Sequence, residues 1–203
     1  MLRLQAVRLA LWGLVVLAVI GAAGLWGWRA WGPTVDAVAE GEALVGGPFE
    51  LVNGRGETVT EADFEGRPFA IFFGFTHCPD VCPTSLFEMA RWIETLGPAA
   101  ERMRFAFVTV DPARDTPAVM RDYVGAFSER IVPLTGSEAQ VARVLDAYRV
   151  HARKVPLEDG GYTMDHSAFV YLMDENGRYA AHITYGEDKE RAVAKLRDLV
   201  DTG

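Results

Sequence analysis

An uninterrupted apolar run, Phe69-Ala70-Ile71-Phe72-Phe73-Gly74-Phe75, has strand length and no polar alternation, which predicts a strand covered on both faces. Arg104-Phe105-Ala106-Phe107-Val108-Thr109-Val110 predicts a second central strand. Between them Leu86, Met89, Ala90, Ile93 and Leu96 recur at helical spacing. Pro83 suits the first position of that helix and Gly97-Pro98 stops it. Thr116-Pro117 opens a further helix carrying Val119, Met120, Tyr123, Val124 and Phe127. A short strand at Ile131–Leu134 leads to Ser137-Glu138-Ala139-Gln140, a capping box, and the helix it starts buries Val141, Val144, Leu145 and Tyr148.

Turn signals supply the rest. Asn53-Gly54 joins strands at Phe49–Val52 and Glu57–Val59. Asp174-Glu175-Asn176-Gly177 joins strands at Ser167–Met173 and Arg178–Thr184. Residues 188–200 close the chain as a helix with Val193, Leu196, Leu199 and Val200 on one face. The order is a strand–helix–strand unit, then helix and strand, then a hairpin and a helix. With two cysteines at the end of the first long strand, it predicts a thioredoxin-like α/β fold: a central mixed sheet flanked by helices, with an extra N-terminal β-hairpin.

Ahead of this domain, Leu9 to Trp28 is an uncharged stretch of 20 residues, enough to cross a hydrocarbon core as a helix. Arg3 and Arg8 precede it, Arg29 and then Asp36, Glu40 and Glu42 follow, so the charge bias is modest, and Trp12, Trp26, Trp28 and Trp31 lie near its ends. That distribution predicts a single-pass anchor with the N-terminus inside. The competing reading is a cleaved signal peptide, because Ala37-Val38-Ala39 fits a small-residue cleavage pattern. Against it, the apolar run is too long and ends well before that site. The reading is therefore a cytoplasmic N-terminus at 1–8, a transmembrane anchor at 9–28, a linker at 29–44 and the thioredoxin-like domain at 45–203. No Arg- and Ser-rich transit segment precedes the anchor, which places it in a bacterial inner membrane with the soluble domain on the periplasmic side. Residues 32–203 hold 17 basic against 28 acidic side chains, a net charge of −11. That excludes nucleic acid and an anionic membrane surface as partners of the domain.

The chemistry sits in Phe75-Thr76-His77-Cys78-Pro79-Asp80-Val81-Cys82-Pro83, which holds the chain's two cysteines. A strand end and a helix start flank the pair, so unpaired N–H groups and the helix dipole favour thiolates. A thiolate is both a nucleophile and a soft metal ligand. A structural disulfide is the plain alternative, but so short a loop closes little chain entropy. Two departures from an ordinary thioredoxin bear on the choice. The spacing is Cys-x-x-x-Cys, which lets both sulfurs converge on a metal. Where a thioredoxin has a cis-proline facing the cysteines, Tyr162-Thr163-Met164-Asp165-His166-Ser167 has none, and His166 stands there instead. Two thiolates and an imidazole suit Cu(I), and Cu(II) can use the same ligands.

Three segments together resemble a known family: Gly74-Phe75-Thr76-His77-Cys78-Pro79-Asp80-Val81-Cys82-Pro83-Thr84, Val110-Asp111-Pro112-Ala113-Arg114-Asp115-Thr116-Pro117, and Asp165-His166-Ser167. They look like the Sco/SenC family of membrane-anchored, thioredoxin-like copper proteins. The resemblance implies a copper chaperone that assists assembly of the dinuclear copper centre of cytochrome c oxidase subunit II, by delivering copper or by reducing that subunit's cysteines. It implies Cys78, Cys82 and His166 as copper ligands. It implies the subunit II copper domain as partner, with other periplasmic copper carriers or thiol–disulfide proteins beside it. The alternative is a thiol–disulfide oxidoreductase whose redox-active pair is Cys78 and Cys82 and which needs no metal. A thiol peroxidase is the weakest reading, because no motif surrounds a single peroxidatic cysteine.

The remaining candidates have plainer readings beside functional ones. His77 can tune Cys78 or ligate transiently, although a sequence neighbour usually points elsewhere. His151 and His182 read as surface histidines. Asp111 reads as the partner of Arg114, with Asp115 near a helix N-terminus. Its functional reading places it beside the metal site, supporting ligands or lending a weak oxygen. Met89 and Met120 fit core faces, and Met164 alone is near His166 in sequence.

Overall fold

The computed structural model describes Gly21, residues 45–158 and residues 160–202. Two compact units divide the chain, Met1–Ala43 and Leu44–Gly203, and every element named below lies in the second. The expected anchor at 9–28 and linker at 29–44 fall outside the described residues, apart from Gly21, which is helical. Among the described residues no helix is long and apolar enough to cross a membrane.

The expected central strands form β3, Phe69–Gly74, and β4, Arg104–Thr109, paired in parallel from Phe69↔Arg104 to Gly74↔Thr109. Every residue of β3 is buried, as an uninterrupted apolar run requires of a strand covered on both faces. Around them the seven-stranded sheet has the order β2-β1-β5-β4-β3-β8-β9. Here β1 is Glu50–Asn53, β2 Thr58–Thr60, β5 Ile131–Thr135, β8 Phe169–Met173 and β9 Tyr179–Thr184. Strand β5 runs parallel to β4, while β1, β8 and β9 pair antiparallel with β5, β3 and β8. This is a thioredoxin-like mixed sheet, and the N-terminal hairpin extends it through β1.

Four helices flank it: α1 Val81–Leu96, α2 Pro117–Gly125, α3 Glu138–Ala147 and α4 Lys189–Thr202. Their caps match the signals in the sequence. Thr116 accepts from the Val119 N–H, Ser137 and Gln140 form the expected capping box, and Gly97 ends α1 at φ +56°, a left-handed conformation that only glycine adopts without strain. Helix α1 starts two residues before the expected Pro83, so Cys82 lies within its first turn. Pro83 is tolerated there because the N–H it lacks would have no intrahelical partner.

Two strands were not expected. Residues Ala152–Pro156, β6, and Tyr162–His166, β7, pair antiparallel in a two-stranded sheet of their own, with Ala152 opposite His166. The core lies on both faces of the main sheet and is dense in aromatics. Phe72 and Phe107 meet at 5.7 Å between ring centroids, and Phe73 packs on Tyr148 and Tyr171. Each such fully buried ring contributes roughly 1.5–3 kcal/mol.

Candidate metal centre

The chain leaves β3 at Gly74 and reaches Cys78 in four residues, with the Cys78 N–H donating to the Phe75 carbonyl at 3.3 Å. Gly74 is a packing requirement. A Cβ there would stand 2.7 Å from Cys82 Sγ and 2.8 Å from Phe107 Cε2, so the buried sulfur occupies the space a side chain would take. Asp80, at the N-cap of α1, makes no side-chain cap. Instead Cys78 Sγ accepts the Cys82 N–H at 3.4 Å, taking one of the helix's unpaired donors.

The two thiols differ sharply. Cys82 is fully buried and Cys78 is half-buried, and both are free. A hydrogen bond from the Cys82 side chain holds the Cys78 thiol well below its ordinary range, with burial opposing and the Asp80 and Cys82 N–H groups assisting. The same bond pushes Cys82 upward, and burial and the negative charges of Cys78 and Asp115 add to the shift. The pair therefore rests as a Cys78 thiolate beside a protonated Cys82.

His166, the last residue of β7, completes the group. Its Nδ1 lies 2.9 Å from the Ser167 carbonyl. A carbonyl can only accept, so Nδ1 carries the proton and Nε2 presents its lone pair. That lone pair faces Cys82 Sγ at 3.5 Å. Phe75 meets the imidazole edge-on at 5.7 Å and Phe72 lies 6.3 Å away, which fixes the ring plane. The ligand atoms of Cys78, Cys82 and His166 lie within 4.8 Å of one another, and no other group of three His, Cys, Asp or Glu among the described residues does so. Two sulfurs and an imidazole of fixed tautomer form a soft, low-coordinate donor set, which fits Cu(I).

The other candidates lie around this group. Asp111 is buried and bonded to Arg114 Nε, and its Oδ1 accepts from the Tyr162 hydroxyl at 3.1 Å. It stands outside the cluster of ligand atoms. His77 is half exposed, with Nδ1 3.0 Å from Thr76 Oγ1 and 3.9 Å from Asp115. It too stands outside that cluster. His151 lies 3.6 Å from Asp165, and His182 shares a 2.5 Å hydrogen bond with the Tyr179 hydroxyl. Met164 packs against the core.

The sequence did not reveal what holds the cysteine loop. Fully buried Asp115 accepts from the Thr76 N–H at 3.1 Å, the Thr76 hydroxyl at 2.6 Å and the Thr109 hydroxyl at 2.6 Å. It ties the loop two residues before Cys78 to the end of β4. Nothing local in the sequence announces this bond across 39 positions. A glycine closing an apolar strand was a readable signal of close approach, and Gly74 is that case.

The chain is similar to known proteins along most of its length. The SCO1/SenC family model matches residues 37–201. A SCO2-like protein of Rickettsia prowazekii (strain Madrid E) is 41% identical over 147 residues, covering 71% of this chain and 72% of that protein. The structure of Bradyrhizobium japonicum ScoI with copper bound is 46% identical, with a TM-score of 0.72, over 76% of this chain and 99% of that one. Yeast Sco1 with copper bound is 35% identical, with a TM-score of 0.72, over 78% and 90% of the two chains.

Proposed function

Because the chain belongs to the SCO1/SenC family, we propose that it is a copper chaperone that carries the metal as cargo on Cys78, Cys82 and His166. It delivers that copper to the dinuclear centre of cytochrome c oxidase subunit II. An N-terminal anchor at 9–28 and a linker at 29–44 hold the domain on the periplasmic face of a bacterial inner membrane. The observation that carries this reading is the convergence of two sulfurs and one imidazole nitrogen within 4.8 Å. Copper found in similar structures supports it.

Burial sets the order of exchange. Cys82 is inaccessible, whereas Cys78 and His166 are partly exposed. An acceptor thiolate therefore meets the metal from the Cys78 and His166 side, and Cys82 is the last ligand to let go. Passing copper ligand by ligand keeps a free ion from forming. The test is Cu(I) stoichiometry of the reduced full chain, loaded anaerobically and challenged with a Cu(I) chelator. One copper per chain in the parent, lost in both Cys78→Ser and His166→Ala, is the expected result. Retention indifferent to His166 refutes the reading.

A second activity has its own observation. A Cys78 thiolate beside a protonated Cys82 is the arrangement that thiol–disulfide exchange uses. In that reading Cys78 attacks a partner disulfide, and Cys82 then displaces the reduced partner to leave a Cys78–Cys82 disulfide. That disulfide has no thiolate to offer copper, so oxidation switches the site off. His166→Ala separates the activities, because exchange needs the cysteines alone.

A further inference from the structure

His166 reaches the cysteines from a hairpin that belongs to neither the main sheet nor its helices. Strands β6 and β7 share a backbone ladder only with each other. Some other contact must set where the hairpin sits. We propose that Arg114 is the positioning residue for His166, fastening the start of β7 to the loop after β4. The inference rests on the three-ligand reading of the site.

The contacts converge on one carboxylate. Arg114 Nε donates to Asp111 Oδ2, and the Tyr162 hydroxyl donates to Asp111 Oδ1 at 3.1 Å. Arg114 Nη1 donates to the Tyr162 carbonyl at 3.0 Å, and its guanidinium lies 3.8 Å from the Tyr162 ring centroid. Tyr162 is thus gripped at backbone, ring and hydroxyl. It is the first residue of β7, and His166 is the last. A strand of that length is a strut about 13 Å long, so holding one end aims the other.

Arg114 also borders the site directly. Its guanidinium lies 5.8 Å from the Phe75 ring, and Phe75 packs edge-on against the imidazole. Asp111 in turn belongs to the frame that holds the cysteines. Its N–H donates to Thr109 Oγ1 at 2.8 Å, and that hydroxyl donates to Asp115, which holds Thr76. One chain of contacts therefore runs from the cysteine loop to the histidine arm, and Arg114 is its crossing point. Asp111 is 3% exposed and Arg114 23%, so these charge-assisted bonds act away from bulk water. Arg114 Nη2 is buried without a partner among the described residues. The side chain is thus held by Asp111 and Tyr162 at the expense of its own remaining donor. A lysine has neither the fork nor the planar face to reproduce this.

A merely structural ion pair would lower stability and disturb copper binding whether or not His166 is present. A positioning residue acts only through His166. The experiment is a double-mutant cycle in the reduced full chain: Arg114→Met, His166→Ala and both together, read as Cu(I) affinity across graded chelator concentrations, so that the weaker binding the two sulfurs keep in His166→Ala is still measured. Alongside it, nitrogen NMR of the metal-free chain reports the His166 tautomer. Arg114→Met is expected to weaken retention about 10–100-fold and to add nothing in the His166→Ala background. Metal-free, the parent shows a single tautomer protonated at Nδ1, and Arg114→Met shows exchange between tautomers. Arg114→Lys is expected to behave as Arg114→Met does. Equal weakening in both backgrounds, or an unchanged tautomer, overturns the proposal. If His166→Ala alone leaves copper retention intact, the three-ligand reading fails, while the metal-free spectra still decide whether Arg114 orders the ring. Should Arg114→Met fail to fold, Tyr162→Leu, which removes the stacked ring and hydroxyl and keeps the Asp111–Arg114 pair, takes its place with the same expected outcomes.

Discussion

The loop that carries Cys78 and Cys82 and the hairpin that carries His166 meet at one site but are built on different principles. The cysteine loop is continuous with β3 and α1, the most buried strand and the first crossover helix of the main sheet. Backbone ladders, a helix start and the Asp115 bonds hold it. The histidine hairpin has a two-stranded ladder of its own and is fixed to the rest by side chains, through the Arg114–Tyr162 contacts and the packing of Ala152 and Met164 on the core, while Ser167 and His151 close its base. Sheet ladders are cooperative and hard to open, whereas a few side-chain bonds open locally at lower cost. A site with two ligands on a frame and a third on an arm can keep its soft pair ordered while the third ligand lets go. That would suit the copper delivery proposed above.

The largest effect separates frame from arm by chemistry. Cys82→Ser removes the buried sulfur and with it any Cys78–Cys82 disulfide, so both copper retention and thiol exchange are expected to vanish. His166→Ala removes the arm's ligand and is expected to abolish retention under chelator challenge while leaving most thiol exchange. Parallel copper-competition and disulfide-exchange assays decide this. Exchange lost equally in both variants would dissolve the distinction.

The next effect sits within the loop. An ordinary thiol loses about 100-fold in alkylation rate between pH 7 and pH 5, because its thiolate fraction falls tenfold per unit below a pKa near 8.5. Cys78, held well below that range by the Cys82 thiol, keeps its thiolate across this window. Cys82, pushed upward and buried, stays protonated and slow throughout. Iodoacetamide labelling of the reduced, metal-free chain, located by mass spectrometry, is expected to find Cys78 modified at a nearly constant rate from pH 7 to pH 5. A Cys78 rate that falls in step with a free thiol sinks the assignment.

Two glycines make the comparison in terms of stability. Gly74→Ala drives a Cβ into Cys82 Sγ and Phe107 inside the frame, an overpacking of about 1–3 kcal/mol that global unfolding should register. Gly160, between β6 and β7, has φ +84° and open space where a Cβ would stand, so Gly160→Ala meets only backbone strain of roughly 1–2 kcal/mol. Denaturant midpoints should fall for Gly74→Ala, whereas Gly160→Ala should chiefly speed amide exchange in β6 and β7. Global destabilisation by Gly160→Ala at least as large as that by Gly74→Ala contradicts the frame-and-arm division.

What the sequence made legible follows the same division. The frame announced itself, because Phe69–Phe75 is uniformly apolar, α1 has helical spacing and Thr116 and Ser137 are cap residues. The two cysteines were readable from their place between strand and helix. His166 was readable from the proline missing ahead of its strand. The arm itself was not. Ala152–Pro156 mixes exposed and half-buried positions without alternation and ends in proline, so no period marks it as a strand. Tyr162–His166 is half-buried along most of its length for the same reason: its two-stranded sheet has no core of its own. Asp115 and Arg114 act across tens of residues, through bonds that composition and periodicity do not encode.

One hydroxyl on each side tests the attachment, and the loss of the arm's hydroxyl is the smallest effect of all. Thr109→Val removes the frame's hydroxyl, which donates to buried Asp115 at 2.6 Å and accepts the Asp111 N–H at 2.8 Å. Two buried partners are left short, and a loss of about 1–3 kcal/mol in global stability follows. Tyr162→Phe removes the arm's hydroxyl from Asp111, but the ring stays under the Arg114 guanidinium and the Tyr162 carbonyl keeps Nη1. Asp111 keeps its bond to Arg114 Nε, so no carboxylate is stranded. The expected cost is about 0.5–1.5 kcal/mol, felt in the opening of the arm rather than the unfolding of the frame. Amide exchange at Thr163 to His166 should quicken while β3 and β4 stay protected. If Tyr162→Phe instead loosens β3 and β4 as much as β7, the arm opens only when the frame does, and the two regions are one cooperative unit.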